Sequence, residues 1–590
     1  MGEMISFDIS VPRPHSHLLQ VEMRVPDLEE SDEVVLRLPV WTPGSYKVRD
    51  YARHLQELEV TGGGQPVDVE KIDKSSWRID ASGCDEIRVS YQVYGFEISP
   101  RFNHVDGSHA FVNPVACCLY PDERLDESVR LTVHPPQPDW ELFCGLVRRG
   151  EEPGCFIARD FDELYDSPVE MGPHQYFDFE VQGVQHRCVF WSDEEVDLEA
   201  FQREVPTIVQ QNAAMFGEIP YERYVFINHV VPDSWGGLEH RHSSVNIFSP
   251  DALADVEEDD DGDYDKDFAN VLRLLSHEHF HAYNVKRLRP EQLGPFDYQR
   301  ENYTPSLWVV EGVTSYYDTY NLLEAGVVSP KRYIELLEKR IKQLHSVPGR
   351  FVQSLEEASF DAWIKLYQRD ENTPNSSVSY YLKGELAVWL LDLWIRDNTD
   401  GERTMADAVR RLYNEYVREA DRGFPPQAVE EAVAAEAGAD PSQVFEMLIR
   451  TASPIDWEQF LEPVGLQLCP DGGGDAWLGV KTKKRSGKRR EVRFVFRDGP
   501  ADEHGLYVGD ELIAVDKRSV RGEDIGEVIA RYSPGDTVTV DLIRRGRLIE
   551  QPVTLGEAPP DEMELKVNDE RTDRQTRLLE GWLGTTQWDG

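Results

Sequence analysis

The sequence predicts a multidomain α+β protein, with an antiparallel β domain first, a mainly helical domain in the middle and a β-rich module near the C-terminus. Three observations predict it. The chain has 590 residues, too many for one hydrophobic core. Short apolar stretches alternating at period two fill roughly the first 170 residues. Helical spacing then dominates from about Leu198 to about Ile455, after which period two returns.

Residues 1–170 contain HLLQVEMRV, EVVLRLPVWTPGSY, WRIDASGCDEIRVSYQVYGF and SVRLTVHP, separated by turn residues. Alternation of this kind buries one face of each strand and leaves the other wet. Residues 171–458 open with YFDFEV, HRCVFW and YVFINHVV, which read as strands. They continue with helical patterns in FQREVPTIVQQNAAMFG, DFANVLRLLSHEHFHAYNV, SLWVVEGVTSYYDTYNLLEA, KRYIELLEKRIKQLH, YYLKGELAVWLLDLWIRD and MADAVRRLYNEYVRE. Residues 459–560 return to strands in WLGVKT, EVRFVFRDG, DELIAVDKRSV, DTVTVDLIRRG and RLIEQPVTL. Residues 561–590 form a polar tail whose LLEGWL segment is apolar enough to dock on the body.

Composition narrows the function classes. A hydrophobic fraction of 40% with 10% aromatics suffices to build cores. With 109 acidic against 62 basic side chains, the net charge of −47 argues against a nucleic-acid partner. Arg outnumbers Lys roughly three to one, and this Lys-poor, acid-rich balance resembles proteins adapted to molar salt, where a Debye length of about 3 Å screens the self-repulsion. Equal stability in dilute buffer and in molar salt would exclude that reading. No window reaches the roughly 18 apolar residues that cross a bilayer, and the first residues lack a basic flank with a long apolar run, so neither a membrane span nor secretion is expected. Seven cysteines without a C-x-x-C pair fit a reducing cytoplasm and weigh against a thiolate zinc site. MGEMIS matches a myristoylation pattern with Gly2 and Ser6, read here as chance. The acidic run DVEEDDDGDYDKD fails the calcium-loop register, because counting from Glu257 puts Phe268 at the twelfth position, and reads as a solvated loop.

The chemistry concentrates in SHEHFHAYNVKRLRP, Ser276 to Pro290. On a helix His277 and His281 stand at i and i+4, so both imidazoles project from one face at a separation suited to one tetrahedral ion. Glu278 reaches a water on that ion without filling a ligand position. His279 reads as packing. A zinc hydrolase needs a third protein ligand, and SLWVVEGVTSYYDTY offers Glu311, an acid in an apolar helical stretch that needs a compensating partner. The expected cofactor is one zinc ion per chain.

W-x-x-E-G (Trp308 to Gly312) after H-E-x-x-H resembles the gluzincins, the thermolysin-like zinc peptidases whose third ligand is glutamate. GGLEHRHSS (Gly236 to Ser244), YLKG (Tyr381 to Gly384) and WTPGSYKVRDYARH (Trp41 to His54) narrow the likeness. DGPADEHGLYVGDELIAVDKRSV resembles a PDZ domain, with a short helix ending near Gly505, an L-x-x-G-D-x-I run from Leu506 to Ile513, and WLGV (Trp477 to Val480) in the place of a carboxylate-binding loop. Together these resemble the glycyl aminopeptidase family of PDZ-bearing metallopeptidases, more distantly related to the aminopeptidase N superfamily. The resemblance implies that Glu239, with Gly236 and Gly237, binds the free α-amine of the substrate. It further implies that Tyr381 donates to the oxyanion, that Glu278 is the general base, and that His277, His281 and Glu311 hold zinc. His240 stands where the superfamily has Asn, and Tyr380 competes with Tyr381 for its role.

The first expectation is therefore a cytosolic zinc aminopeptidase acting on peptides with a free N-terminus, with small first residues such as Gly or Ala implied by the family. A thermolysin-like endopeptidase, in which GGLEH is incidental, is the second. A PDZ scaffold with a weakly active peptidase domain is the third. The PDZ module implies a peptide or protein C-terminus as a further partner, bound by strand addition. No G-x-S-x-G nucleophile motif is present for a serine protease.

Overall fold

The computed structural model describes residues 4–28, 31–148, 154–254, 256, 259, 262–485 and 489–588. Gly2 of the myristoylation pattern and Glu257, which opens the calcium count, lie outside the described residues. The chain forms two compact units.

The first unit comprises residues 1–304, 313–329 and 409–429. It opens with a seven-stranded sheet in the order Cys155–Ala158, Val129–His134, Ile5–Ser10, Leu18–Val25, Ile87–Tyr94, Leu55–Gly62, Gln65–Pro66. Its pairs are antiparallel apart from Ile5–Ser10 against Val129–His134. The period-two reading is visible in the burial of Ile5, Phe7 and Ile9, and again of Val89, Tyr91 and Val93. Two four-stranded sheets complete this β-rich part; one of them runs in the order Glu141–Cys144, Val169–Gly172, Ala110–Val112, His104–Val105.

A separate mixed sheet follows in the order Gln175–Val181, Val184–Trp191, Arg223–Val230, Ser243–Phe248, Trp235–Glu239. Its three central strands are parallel. Parallel strands covered on both faces carry near-continuous apolar runs, and every residue of Arg223–Val230 except the first is buried. Trp235–Glu239 is the edge, antiparallel to its neighbour. The helix Lys266–Phe280 starts where the Asp265 side chain accepts from the Asp267 N–H, a cap for an orphan donor. Its apolar face, Phe268, Val271, Leu272 and Leu275, is buried, and it lies against both Ser243–Phe248 and Trp235–Glu239.

The second unit comprises residues 305–312, 330–408 and 430–590. The helix Leu382–Asn398 is apolar on all sides and buried on all sides, with Leu386 to Leu391 at 0% exposure. The π-helical turn Trp308–Gly312 crosses it at backbone contact, since a Cβ on Gly312 would stand 2.7 Å from Gly384 Cα. Glycine at both positions permits the approach. The C-terminal module has a sheet in the order Val480–Arg485, Arg489–Val495, Glu511–Val515, Thr537–Arg544, Arg547–Thr554, packed around Val492, Leu512, Val540 and Val553. Its helix Pro500–Glu503 ends just before Gly505. Asn375 ties the module to the helical part, donating from Nδ2 to Val495 O at 2.8 Å and accepting from the Arg497 N–H at 3.0 Å. The LLEGWL segment docks as expected: the helix Asp573–Leu583 buries Leu578, Leu579 and Trp582, with Trp582 5.9 Å from the Trp389 ring. Among the described residues no helix is long and apolar enough to cross a membrane.

Candidate active site

In the first unit the helix Lys266–Phe280 delivers His277 in its last turn and His281 at its C-cap, still with helical backbone angles. Their Nε2 atoms stand 3.1 Å apart. Each Nδ1–H has an acceptor: His281 donates to Asn284 O at 2.7 Å and His277 to Asp318 Oδ2 at 2.9 Å. Fixing Nδ1 this way turns the Nε2 lone pairs toward a common point, the donor arrangement a divalent ion requires. Burial by itself would raise the Asp318 carboxyl, but Arg273 at 2.9 Å and the His277 hydrogen bond hold it below the usual carboxylate range. His279 points elsewhere, buried between Asn212 Nδ2 at 3.1 Å and the Tyr221 hydroxyl at 2.6 Å. Burial pushes its pKa well down, as befits a neutral packing group.

The same unit brings Glu239 to this helix. One ligand atom each of Glu239, Glu278 and His281 lie within 4.8 Å of one another. The two glycines of the edge strand have separate reasons. Gly236 has φ +146°, a conformation that disfavours other residues, and a Cβ on Gly237 would collide with Glu278 Oε1 at 2.1 Å. The Gly237 carbonyl accepts from Arg101 Nη2 at 3.1 Å. Gly44, in the turn of WTPGSY, performs the same service for Glu239, since a Cβ there would meet Oε1 at 2.5 Å. Glu239 is 4% exposed and its Oε1 has no hydrogen-bond partner among the described residues.

Asp166 holds the segment that follows. Its carboxylate takes the His240 imidazole at 3.0 Å, the Arg241 N–H at 2.7 Å and Lys286 Nζ at 2.8 Å. Burial acts to raise Asp166, but Lys286 and His240 outweigh it and hold the carboxyl low. The histidine in place of the superfamily's asparagine is therefore anchored by Asp166, a half-buried acid. A cavity of about 110 Å³ opens here, lined among others by Trp41, Tyr46, Glu239, Lys286 and Phe296.

The second unit carries the other two candidates. Glu311 is 2% exposed in the turn Trp308–Gly312. In sequence that turn is followed by the helix Val313–Glu324, which carries Asp318 seven residues after Glu311. Tyr381 sits at the N-cap of Leu382–Asn398, with its hydroxyl 3.5 Å from that of Tyr367. Burial, with the charge of Glu311 next in weight, raises its pKa well above the ordinary tyrosine value, so the hydroxyl stays a donor. Tyr380 is fully buried and stacked on Tyr381 at 4.9 Å.

Sequence reading missed Asp318, Asp166 and Lys286. Only Asp318 had a signal, its two-turn spacing from Glu311. Asp318→Asn is expected to lower metal affinity about 10- to 100-fold by releasing the His277 ring, measured by competition with a chelator; unchanged affinity would remove Asp318 from the site.

Residues 6–173 match the family described as Peptidase M61 N-terminal domain, residues 270–387 the M61 glycyl aminopeptidase family, and residues 476–555 the PDZ domain. The chain is similar to an aminopeptidase N family protein from Idiomarina loihiensis, at 31% identity and TM-score 0.91 over 98% of this chain and 100% of that one. It is also similar to the M1 zinc metallopeptidase from Deinococcus radiodurans, at 16% identity and TM-score 0.47 over 77% and 95% of the two chains. A stretch of 75 residues is 35% identical to a probable periplasmic serine endoprotease DegP-like of Ectopseudomonas mendocina, spanning 12% of this chain and 16% of that protein.

Proposed function

The chain belongs to the M61 glycyl aminopeptidase family and is a peptidase, and on that premise we propose that it is a zinc-dependent aminopeptidase releasing small N-terminal residues from peptides. The observation that carries the reading is Glu239. Its Oε1 is buried without a partner among the described residues, and one of its oxygens lies within 4.8 Å of ligand atoms of Glu278 and His281; such a carboxylate is costly unless a cation comes to it. The α-ammonium of a peptide is such a cation, and a chain extending past it would meet the Gly44 turn packed on Glu239. The small adjoining cavity supports Gly or Ala as the released residue.

In this proposal one catalytic zinc is held by His277, His281 and Glu311. When bound it supplies a Lewis acid that polarises the scissile carbonyl and acidifies water. Glu278 accepts the proton of the attacking water and passes it to the leaving amine. Tyr381, kept protonated, donates to the oxyanion that exists only in the transition state. Glu239 sets the register by pairing with the ammonium, and Asp166 positions the loop behind it. Residues 1–170, 171–458, 459–560 and 561–590 are assigned as N-terminal β domain, thermolysin-like catalytic domain, PDZ domain and tail. The PDZ domain is assigned a peptide C-terminus, and the cytoplasm is assigned as the compartment, where the free cysteines stay reduced.

The test compares glycyl and alanyl peptides with free and with acetylated N-termini. Cleavage of the free peptides alone, abolished by chelation, is the expected result. Equal cleavage of both forms would establish an endopeptidase, and cleavage of neither by zinc-loaded protein would favour a scaffold.

A further inference from the structure

Glu170, on the strand Val169–Gly172, is 0% exposed. Among the described residues its only ion partners are three imidazoles: His109 Nδ1 at 2.9 Å and His174 Nε2 at 2.7 Å on Oε1, and His229 Nε2 at 2.9 Å on Oε2. None of the three histidines is more than 3% exposed. His109 precedes the strand Ala110–Val112 in the same sheet as Glu170, whereas His229 belongs to Arg223–Val230 of the mixed sheet.

We propose that His109, Glu170 and His229 form a second, structural metal site for a zinc-type divalent ion, clasping the N-terminal β part to the mixed sheet, with His174 hydrogen-bonded to the Glu170 carboxylate. A fully buried carboxylate requires a compensating positive charge. Two imidazole nitrogens and one carboxylate oxygen are a donor set that zinc favours, and the burial of all three residues marks a structural site and not a substrate-accessible one. One ligand atom each of His109, Glu170 and His229 lie within 4.8 Å of one another, while His174 Nε2 bonds Glu170 Oε1 at 2.7 Å from outside that group. The surroundings are built to admit the rings. A Cβ on Gly172 would lie 2.5 Å from His174 Nε2, and Trp191 covers His109 in a stack at 3.7 Å.

This inference does not rest on the proposed catalytic function. The experiment measures bound zinc in the full chain after zinc loading and dialysis, and thermal stability with and without added zinc. Wild type is expected to hold about two ions per chain, with about one remaining in His277→Ala/His281→Ala and about one in His109→Ala/His229→Ala. Zinc should still raise the melting temperature of the His277→Ala/His281→Ala variant. A wild type holding about one ion that is lost from that variant overturns the proposal, leaving a protonated histidine as the counter-charge. A single ion that survives in that variant would instead remove the proposed catalytic site and uphold this one. If the His109→Ala/His229→Ala variant fails to fold, wild type and the His277→Ala/His281→Ala variant decide the matter between them.

Discussion

Glu278→Gln is expected to lower kcat on a free glycyl peptide by about 10³- to 10⁴-fold, near the upper end of what a positioned general base contributes. The substitution keeps the shape of the side chain beside Gly237, where a Cβ would stand 2.1 Å from Glu278 Oε1, and removes only the capacity to take a proton. KM should change little, because Glu278 acts on the water and not on the ground-state peptide. Zinc content should stay at the wild-type level. Steady-state kinetics with metal analysis on the same preparation checks all three. A variant that keeps a tenth of the activity would show that the proton goes elsewhere, and one that loses its zinc would show that Glu278 is a ligand.

Glu239→Gln is expected to lower kcat/KM on peptides with a free N-terminus by about 10²- to 10³-fold. Removing one partner of a buried, hydrogen-bonded charge pair costs about 2–5 kcal/mol, and each 1.4 kcal/mol is about tenfold. The amide keeps the packing against Gly44 and removes the charge that the ammonium answers. The discriminating readout is selectivity, the ratio of free to acetylated peptide hydrolysis, which should collapse. A variant equally slow on both substrates with the ratio preserved would make Glu239 a structural residue.

Much of the fold was legible because its signals are local. Period-two burial in Ile5–Ser10 and Ile87–Tyr94 follows from the alternation of side chains along a strand. The helix around His277 follows from its apolar stripe, and the helix Leu382–Asn398 from the helical pattern of YYLKGELAVWLLDLWIRD. The one parallel pair within the N-terminal sheet, Ile5–Ser10 with Val129–His134, was not legible, because more than 110 residues separate partners whose individual patterns do not encode direction.

The sequence by itself determined that His277 and His281 share a helix face with Glu278 beside them, because i, i+4 geometry is a property of any α-helix. Tertiary structure alone decided what surrounds these groups. Gly44 comes from a turn nearly 200 residues before Glu239, and Asp166 reaches His240 and Lys286 across 74 and 120 residues. Tyr380 is fully buried, whereas its neighbour Tyr381 is half-buried. The histidines around Glu170 come from three separate segments and carry no common spacing. The physical reason is the same in each case: a buried charge or polar atom must be answered wherever the chain happens to place a partner, and that pairing is set by packing, not by the period of any one element.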